Sequence, residues 1–571
     1  MKFSKLIVKN FRSINAQGVE LNFHDADHVA VLVGANGAGK SNVLDALGIV
    51  LGVYPFGRFE VDEFDFHNKR TDQELIIELH LRLPLVERDV YQQKYEIHGF
   101  RFRAWRKIRG DGKGVLAKEQ YCFGNDGKTI VKSSRIFKKA NEKDPDPENA
   151  MRPVLVQDHA WKVGHGFYLD APSLETFFDK TIGFGPLGRL FELYRDDFPA
   201  DHNQYPAEGE KKELARDAFR KCAEALTGVL RTSKLKQIEK SLSGRVASYL
   251  GIEGTDPFTV ALALPSHREL FEKVVGLHVT ERKDGPTLPA ERLGSGHRAL
   301  LRLAAIETLL ELQKPDDILF LLIEEPEIYL HVHLQRYFSD VLQQVSRRGH
   351  QIVFTTHSTE FVDLARPLEI IRIGKGPTGS TDAKQVPERT TFTFEKVRRK
   401  LRRLGNQEIF FASHAFLTEG QDDQGVFEVL FQKKGIDVNV HSVSVVDCDS
   451  AGNLTDYIGL CTHLGIDFYV VHDADNPKKE EKRNQAIATA VKAGAKIHES
   501  LHVFPKCLEA IMGQEKHCGL DKLLALFEGK SYVEISNQFP DLVKPIEEFT
   551  RTRSVSPQAV PAAKKEGTLR E

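Results

Sequence analysis

What the chain lacks narrows the reading first. Its 571 residues hold six cysteines, Cys122, Cys222, Cys448, Cys461, Cys507 and Cys518, and none forms a CxxC pair. Neither a zinc ribbon nor a disulfide framework is indicated, and this usage suits a reducing, cytoplasmic setting. Net charge is nearly absent as well, at -2. A surface for nucleic acid must therefore come from local clusters of charge. No apolar run approaches the length that crosses a membrane. Met1-Lys2-Phe3 leads directly into a strand-like segment, and no signal peptide is read there. Hydrophobic content of 41% and charged content of 28% are ordinary for a soluble globular protein. The length exceeds one core and asks for roughly two to four domains.

What is present centres on residues 31–42, Val-Leu-Val-Gly-Ala-Asn-Gly-Ala-Gly-Lys-Ser-Asn. An apolar run breaks into a Gly-rich turn, and Lys-Ser opens a helix. Gly34, Gly39, Lys40 and Ser41 satisfy the phosphate-loop pattern G-x-x-x-x-G-K-[ST] at every position. Glycines are needed because backbone N–H groups must wrap an anion closely. Asn36 and Gly37 lie within that turn. Lys40 would reach the β- and γ-phosphates, and Ser41 would hold Mg²⁺. The helix from Asn42 to Leu51 directs its positive end at the phosphates. The chain is therefore expected to bind ATP.

Further strands are expected at Leu6 to Val8, Val29 to Val33, Glu74 to Leu83, Arg101 to Ile108 and Gln120 to Phe123. Lys138 to Asn149 reads as an exposed loop. Residues 173–250 change character, with helical stretches at Glu213 to Leu230 and Leu235 to Leu250. A dimerising helical pair and a plain helical lid both fit this stretch. Ile318 to Ile323 is fully apolar, as expected of a buried parallel strand, and ends in Glu324-Glu325-Pro326-Glu327. That is a Walker B pattern with Glu in the usual Asp place. Glu324 is expected at the Mg²⁺ shell and Glu325 at the attacking water. The strand Gln351 to Thr355 ends at Thr356-His357-Ser358.

After residue 405 the pattern restarts. Strands at Ala415 to Thr418, Val443 to Val446 and Phe468 to Val471 alternate with helical stretches, which argues a small parallel α/β domain. Acidic residues at the carboxyl ends of such strands converge at one crevice, so Glu419, Asp473 and Asp475 should meet. A cluster of oxygen donors suits Mg²⁺ or Mn²⁺, and packed carboxylates repel unless cations neutralise them.

Several of these motifs resemble known families. Asn10-Phe11-Arg12 upstream of the P-loop resembles the opening of RecF- and SMC-type ATPases. Leu293-Gly294-Ser295-Gly296-His297-Arg298 resembles a degenerate ABC signature, in which Ser295 and Gly296 would face a partner's γ-phosphate. Ile328 to His331 resembles a D-loop, and His357 the switch histidine. No clear Q-loop glutamine follows the first helix; Asp62 to His67 is the best substitute. Glu-Gly after one strand and Asp-x-Asp after a later one resemble Toprim. An ABC-type head followed by Toprim is similar to the OLD (overcoming lysogenisation defect) nucleases, with which the Gabija and retron-associated nucleases are grouped.

The resemblance implies a fold and a site. The fold is an α/β RecF/SMC-like ABC ATPase head with an inserted helical dimerisation region, followed by a C-terminal Toprim domain. The boundaries are 1–172 for the first ATPase half, 173–250 for the insertion, 251–395 for the second half and 396–571 for Toprim. Glu419, Asp423, Asp473, Asp475 and Glu509 become the metal ligands. Lys564 stabilises the phosphorane, with Lys565 or Lys544 as replacements. Asp447 or Asp449 could add a ligand, or their turn could be structural. The implied activity is an ATP-regulated, metal-dependent DNA endonuclease using Mg²⁺, Mn²⁺ or Ca²⁺ at the Toprim site. The implied setting is anti-phage defence or DNA processing, as a homodimer or larger assembly with room for a second protein or RNA. The competing expectation is a RecF/SMC-like DNA-binding ATPase whose Toprim only docks.

Overall fold

The computed structural model describes most of residues 2–133, 292–387 and 405–553, and only short stretches between 134 and 291. The loop expected at Lys138 to Asn149 lies outside the described residues, as do Lys564 and Lys565 and most of the helices expected over 213–250. Two compact units are present, one formed by 1–168 with 316–571 and the other by 169–315.

Within the first unit, the P-loop strand Val29–Val33 lies between Gln351–Thr355 and Ile370–Lys375, and all three run parallel. Leu319–Glu324 pairs parallel beyond Gln351–Thr355, with Glu324 opposite Thr355. Thr381–Gln385 closes one edge antiparallel. Val29–Val33 is buried at every position, which explains why its sequence is a continuous apolar run rather than an alternating one. The order places the strand that leads to His357 between those that lead to the Gly-rich turn and to Glu324, so all three carboxyl ends open on the same edge of the sheet.

A five-stranded antiparallel sheet stands beside it, in the order Val19–Asn22, Phe3–Lys9, Leu75–Arg88, Lys94–Ile108, Gly114–Phe123. Its strands alternate: Phe100, Phe102 and Ala104 are buried while Arg101, Arg103 and Trp105 turn outward, the period-two pattern of a half-covered sheet. The buried face shares one core with the P-loop helix Lys40–Leu51 through Leu44, Leu47, Ile77 and Phe102. Gln120 ties the two further, donating to the helix's terminal carbonyls Ile49 O at 3.1 Å and Val50 O at 3.0 Å.

The C-terminal part of this unit is a four-stranded parallel sheet. Its order is Val443–Asp447, His414–Thr418, Asp467–Asp473, Leu501–Phe504. The chain leaves His414–Thr418 to one side and returns on the other. That makes the gap between His414–Thr418 and Asp467–Asp473 the topological switch point, where such sheets bind ligands. Arg372 joins the ATPase sheet to this domain. It donates from Nη1 to Leu464 O and Gly465 O, each at 3.3 Å, and from Nη2 to Ala412 O at 2.6 Å.

The second unit is described only in parts. Gln204–Pro206 pairs antiparallel with Lys212–Leu214, so the helix expected from Glu213 begins in a strand instead. Ser295–Leu312 is a helix, beginning about one turn before the Ala299 to Gln313 that the sequence suggests. Arg298 N bonds Gly294 O at 3.0 Å in its first turn. Of the basic run 396–403, Lys400 and Leu401 are described; they are helical, and Lys400 pairs with Asn453 and Asp456 of Toprim. No described helix is long and apolar enough to cross a membrane.

Candidate nucleotide and nuclease sites

The P-loop geometry depends on its glycines. Gly34 has φ 139°, and a Cβ there would meet Ile373 O at 2.0 Å. Gly39 has φ 108°, and a Cβ would meet Thr381 Oγ1 at 2.3 Å and Ser13 Oγ at 2.8 Å. The Asn-Phe-Arg-Ser segment is the reason for the second crowding. Ser13 Oγ contacts Thr381 Oγ1 at 2.7 Å and accepts from Asn42 Nδ2 at 2.6 Å, while Thr381 Oγ1 donates to Ala38 O at 2.7 Å. This segment buttresses the loop from behind, leaving Asn36 and Gly37 exposed in front.

Lys40 is buried and donates to Gly34 O at 2.9 Å and Ala35 O at 3.2 Å. Burial holds its pKa below the ordinary lysine value, against the pull of Glu325, Glu327 and Glu324. Ser41 Oγ donates to Glu324 Oε1. The two groups expected around Mg²⁺ are thus in direct contact. His357 Nε2 lies 3.6 Å from Glu325 Oε1. Burial lowers the histidine's pKa and Lys40 adds to the effect, which favours a neutral ring. His357 therefore lies beside Glu325 and within electrostatic reach of Lys40.

Two residues near this site were not read from the sequence. Glu327 is largely buried, and its Oε1 accepts from His357 N at 2.5 Å. It holds the backbone of His357 in place. The spacing Glu-Glu-Pro-Glu was visible, but nothing in it told the third glutamate from a solvated turn. Arg12 pairs with Asp45 at 2.5 Å and Asp65 at 3.1 Å. Asp65 is therefore engaged inside the Asp62 to His67 stretch that stood as the Q-loop substitute. That stretch forms two short 3-10 turns.

At the Toprim switch point, Glu419 and Asp473 come together: Asp473 N donates to Glu419 Oε2 at 3.2 Å. Asp423 Oδ2 accepts from Gly420 N at 3.0 Å, capping the helix Gln421–Lys433. Glu509 is buried on the short helix Leu508–Ile511. Burial is the leading reason that Asp473 is pushed up to about 8, with Asp423, Glu419, Asp475 and Glu509 each adding repulsion. Asp423 is pushed up to about 7 by burial first, then by Glu419 and Glu509. Glu419 is raised by burial and Asp475, partly offset by the Asp473 backbone N–H and then by Arg483. The other four sequence-predicted carboxylates thus all act electrostatically on Asp473.

Hard oxygen donors that resist ionising while crowded fit divalent cations. Among the described residues, no group of three or more His, Cys, Asp or Glu is already arranged to hold a metal ion. The alternative lysine, Lys544, is exposed and donates to Asp541 Oδ1 at 2.6 Å. Asp447 is buried and accepts from Asp449 N at 2.7 Å, so it shapes its own turn.

The shifts have a measurable consequence. A carboxyl whose folded pKa exceeds its ordinary 3.8 favours the fold while protonated. That contribution is lost as pH rises from the ordinary value through about 8. In chelator, Asp473→Asn is therefore expected to melt above the parent, by a margin that widens between pH 5 and pH 8. At roughly 2–4 °C per kcal/mol for a domain of this size, a few degrees is the expected scale. Added Mg²⁺ should raise the parent more than the variant. Melting curves that stay parallel across this range would contradict the crowding.

An ATPase head carrying a Toprim sheet on the same chain is the class that fold and sites define. The family model for the AAA ATPase domain matches residues 1–152 and 212–362. The model for the Toprim domain of overcoming-lysogenization-defect-like proteins matches 410–475. The chain belongs to the AAA ATPase domain family and carries an overcoming-lysogenization-defect-like Toprim domain. It is similar to the OLD nuclease of Thermus scotoductus, 27% identical over 96% of this chain and 98% of that one. It is also similar to the endonuclease GajA of Bacillus cereus, 22% identical over 85% of this chain and 76% of that one. The Old nuclease of Escherichia phage P2 matches 37% of this chain and 38% of its own length at 24% identity. ATPase and Toprim domains generally use a nucleotide and divalent metal.

Proposed function

We propose that the chain is an ATP-regulated, divalent-metal-dependent DNA endonuclease acting in anti-phage defence or DNA processing. One observation carries this reading. Glu419 and Asp473 meet at the switch point of a parallel sheet, with Asp423 and Asp473 pushed up by burial first and then by their acidic neighbours. Glu419, Asp423, Asp473, Asp475 and Glu509 are the residues that would hold the ions, Mg²⁺ first, with Mn²⁺ or Ca²⁺ as substitutes. Bound there, two divalent ions supply an activated water and neutralise the leaving oxygen of a phosphodiester. DNA as the substrate rests on the nuclease names of the relatives.

In the other site, the P-loop amides of Gly34, Asn36, Gly37 and Gly39, together with Lys40 and Asn42, hold the phosphates. Ser41 and Glu324 hold the nucleotide's ion. Glu325 orients water, and His357 reads the γ-phosphate. Ser295 and Gly296 complete the nucleotide site of a second copy, which makes a homodimer or larger assembly the working form. Lys564 serves the phosphorane. The boundaries 1–172, 173–250, 251–395 and 396–571 remain our division of the chain.

His357 stacks on Phe411, with ring centroids 6.2 Å apart and planes at 26°. Phe411 lies three residues before the strand that ends next to Glu419. This contact supports communication between nucleotide and nuclease sites. The test is supercoiled plasmid incubated with Mg²⁺, Mn²⁺ or chelator. Open circles are expected only with an ion. ATP turnover with intact plasmid under every ion would instead favour a DNA-binding ATPase whose Toprim only docks.

A further inference from the structure

The turn Asp473-Ala474-Asp475 is clamped by the helix that follows it, Glu481–Gly494. Arg483 Nη2 donates to Asp475 Oδ2 at 3.2 Å, to Asp473 O at 3.4 Å and to Asn484 Oδ1 at 3.2 Å. Its Nη1 lies 3.5 Å from Glu480 Oε2. Asn484 Nδ2 donates to Ala474 O at 3.1 Å. Asp475 itself sits at φ 48°, a left-handed conformation that few non-glycine residues adopt. The helix therefore fixes both the backbone of this turn and the carboxylate of Asp475.

A guanidinium is charged at every working pH. Here its charge is fixed on one of the carboxylates assigned to a divalent ion, and it also lowers Glu419. A resident cation in that position does two things. It relieves the crowding of the acids before any ion arrives, and it opposes the entry of an ion at the same carboxylate.

We propose that Arg483 is a resident counter-cation that competes with a divalent ion for Asp475 and so sets the ion concentration at which the Toprim site fills. The inference rests on the metal-site reading above. A plain clamp would act in the opposite direction: removing it would loosen Asp475 and weaken ion binding. The sign of the effect therefore separates the two roles.

The experiment is calorimetric titration of Mn²⁺ into the full chain without nucleotide, with Asp473→Ala as the blank. Arg483→Gln is expected to bind Mn²⁺ more tightly than the parent, by about three- to tenfold for the loss of one partly exposed ion pair. The Mn²⁺-induced rise in melting temperature should begin at correspondingly lower ion concentration. Arg483→Met is read in the same way, and it carries the conclusion where the glutamine variant melts early in chelator. Equal or weaker Mn²⁺ binding by the neutral variants, with the parent still binding, overturns the counter-cation and leaves the metal site standing. No binding by the parent overturns both.

Discussion

Asp473→Ala is expected to lower plasmid nicking by at least about a hundredfold, because losing even outer support for a metal ligand costs 10–100-fold. The variant removes one oxygen donor from the switch point but leaves the contact that organises it. The residue's backbone N–H, not its side chain, donates to Glu419 Oε2. The fold should survive for the same reasons that Asp473 is pushed up to about 8: its carboxylate is buried first of all, and is surrounded by Asp423, Glu419, Asp475 and Glu509. Deleting it relieves repulsion. ATP turnover should persist, since Ser41, Glu324 and Lys40 lie on the other sheet. Nicking, phosphate release and melting are measured on the same preparation. Undiminished nicking would remove Asp473 from the site, and early melting in Asp473→Ala, with Asp473→Asn stable but inactive, would still place it there.

Lys40→Ala carries the second large effect. The ammonium is buried at the loop and now satisfies Gly34 O and Ala35 O. With nucleotide present it would turn to the phosphates, and charge-assisted bonds of this kind contribute about 1.5–3 kcal/mol each. ATP affinity should fall about tenfold to a hundredfold, and hydrolysis should become undetectable. Nicking in the absence of nucleotide should remain. The response of nicking to ATP should vanish, whichever direction it takes in the parent. Fluorescent-nucleotide titration reads the affinity, and parent-rate hydrolysis by the variant would contradict the assignment.

Much of this was legible in the sequence because the motifs sit where strands end. Val29–Val33, Gln351–Thr355 and Leu319–Glu324 are strands within one residue of the bounds read from the sequence. Each of the first two leads into a chemistry-bearing turn. The carboxylates at 419, 473 and 475 were found by the rule that parallel strands present their carboxyl ends together.

What escaped was set by tertiary contacts that leave no local pattern. Glu327 looks like one more acid after Walker B until His357 N is found 2.5 Å away. Arg483 looks like a surface arginine on a charged helix until the turn folds back onto it. Arg372 reads as an ordinary strand residue, yet it donates to three carbonyls of the Toprim domain. The Walker B strand's neighbour could not be ordered from sequence either. Sheet order depends on which apolar faces meet, not on what each strand contains.

The account's central claim is that one chain carries two chemically separate sites. The most direct measurement follows plasmid nicking and phosphate release together, with ATP and Mn²⁺, for the parent, Lys40→Ala and Asp473→Ala. The expected result is a crossed pattern: Lys40→Ala loses phosphate release and keeps nicking, and Asp473→Ala loses nicking and keeps phosphate release. If each substitution abolishes both activities while melting stays at the parent value, the two sites are not separate and the account is wrong.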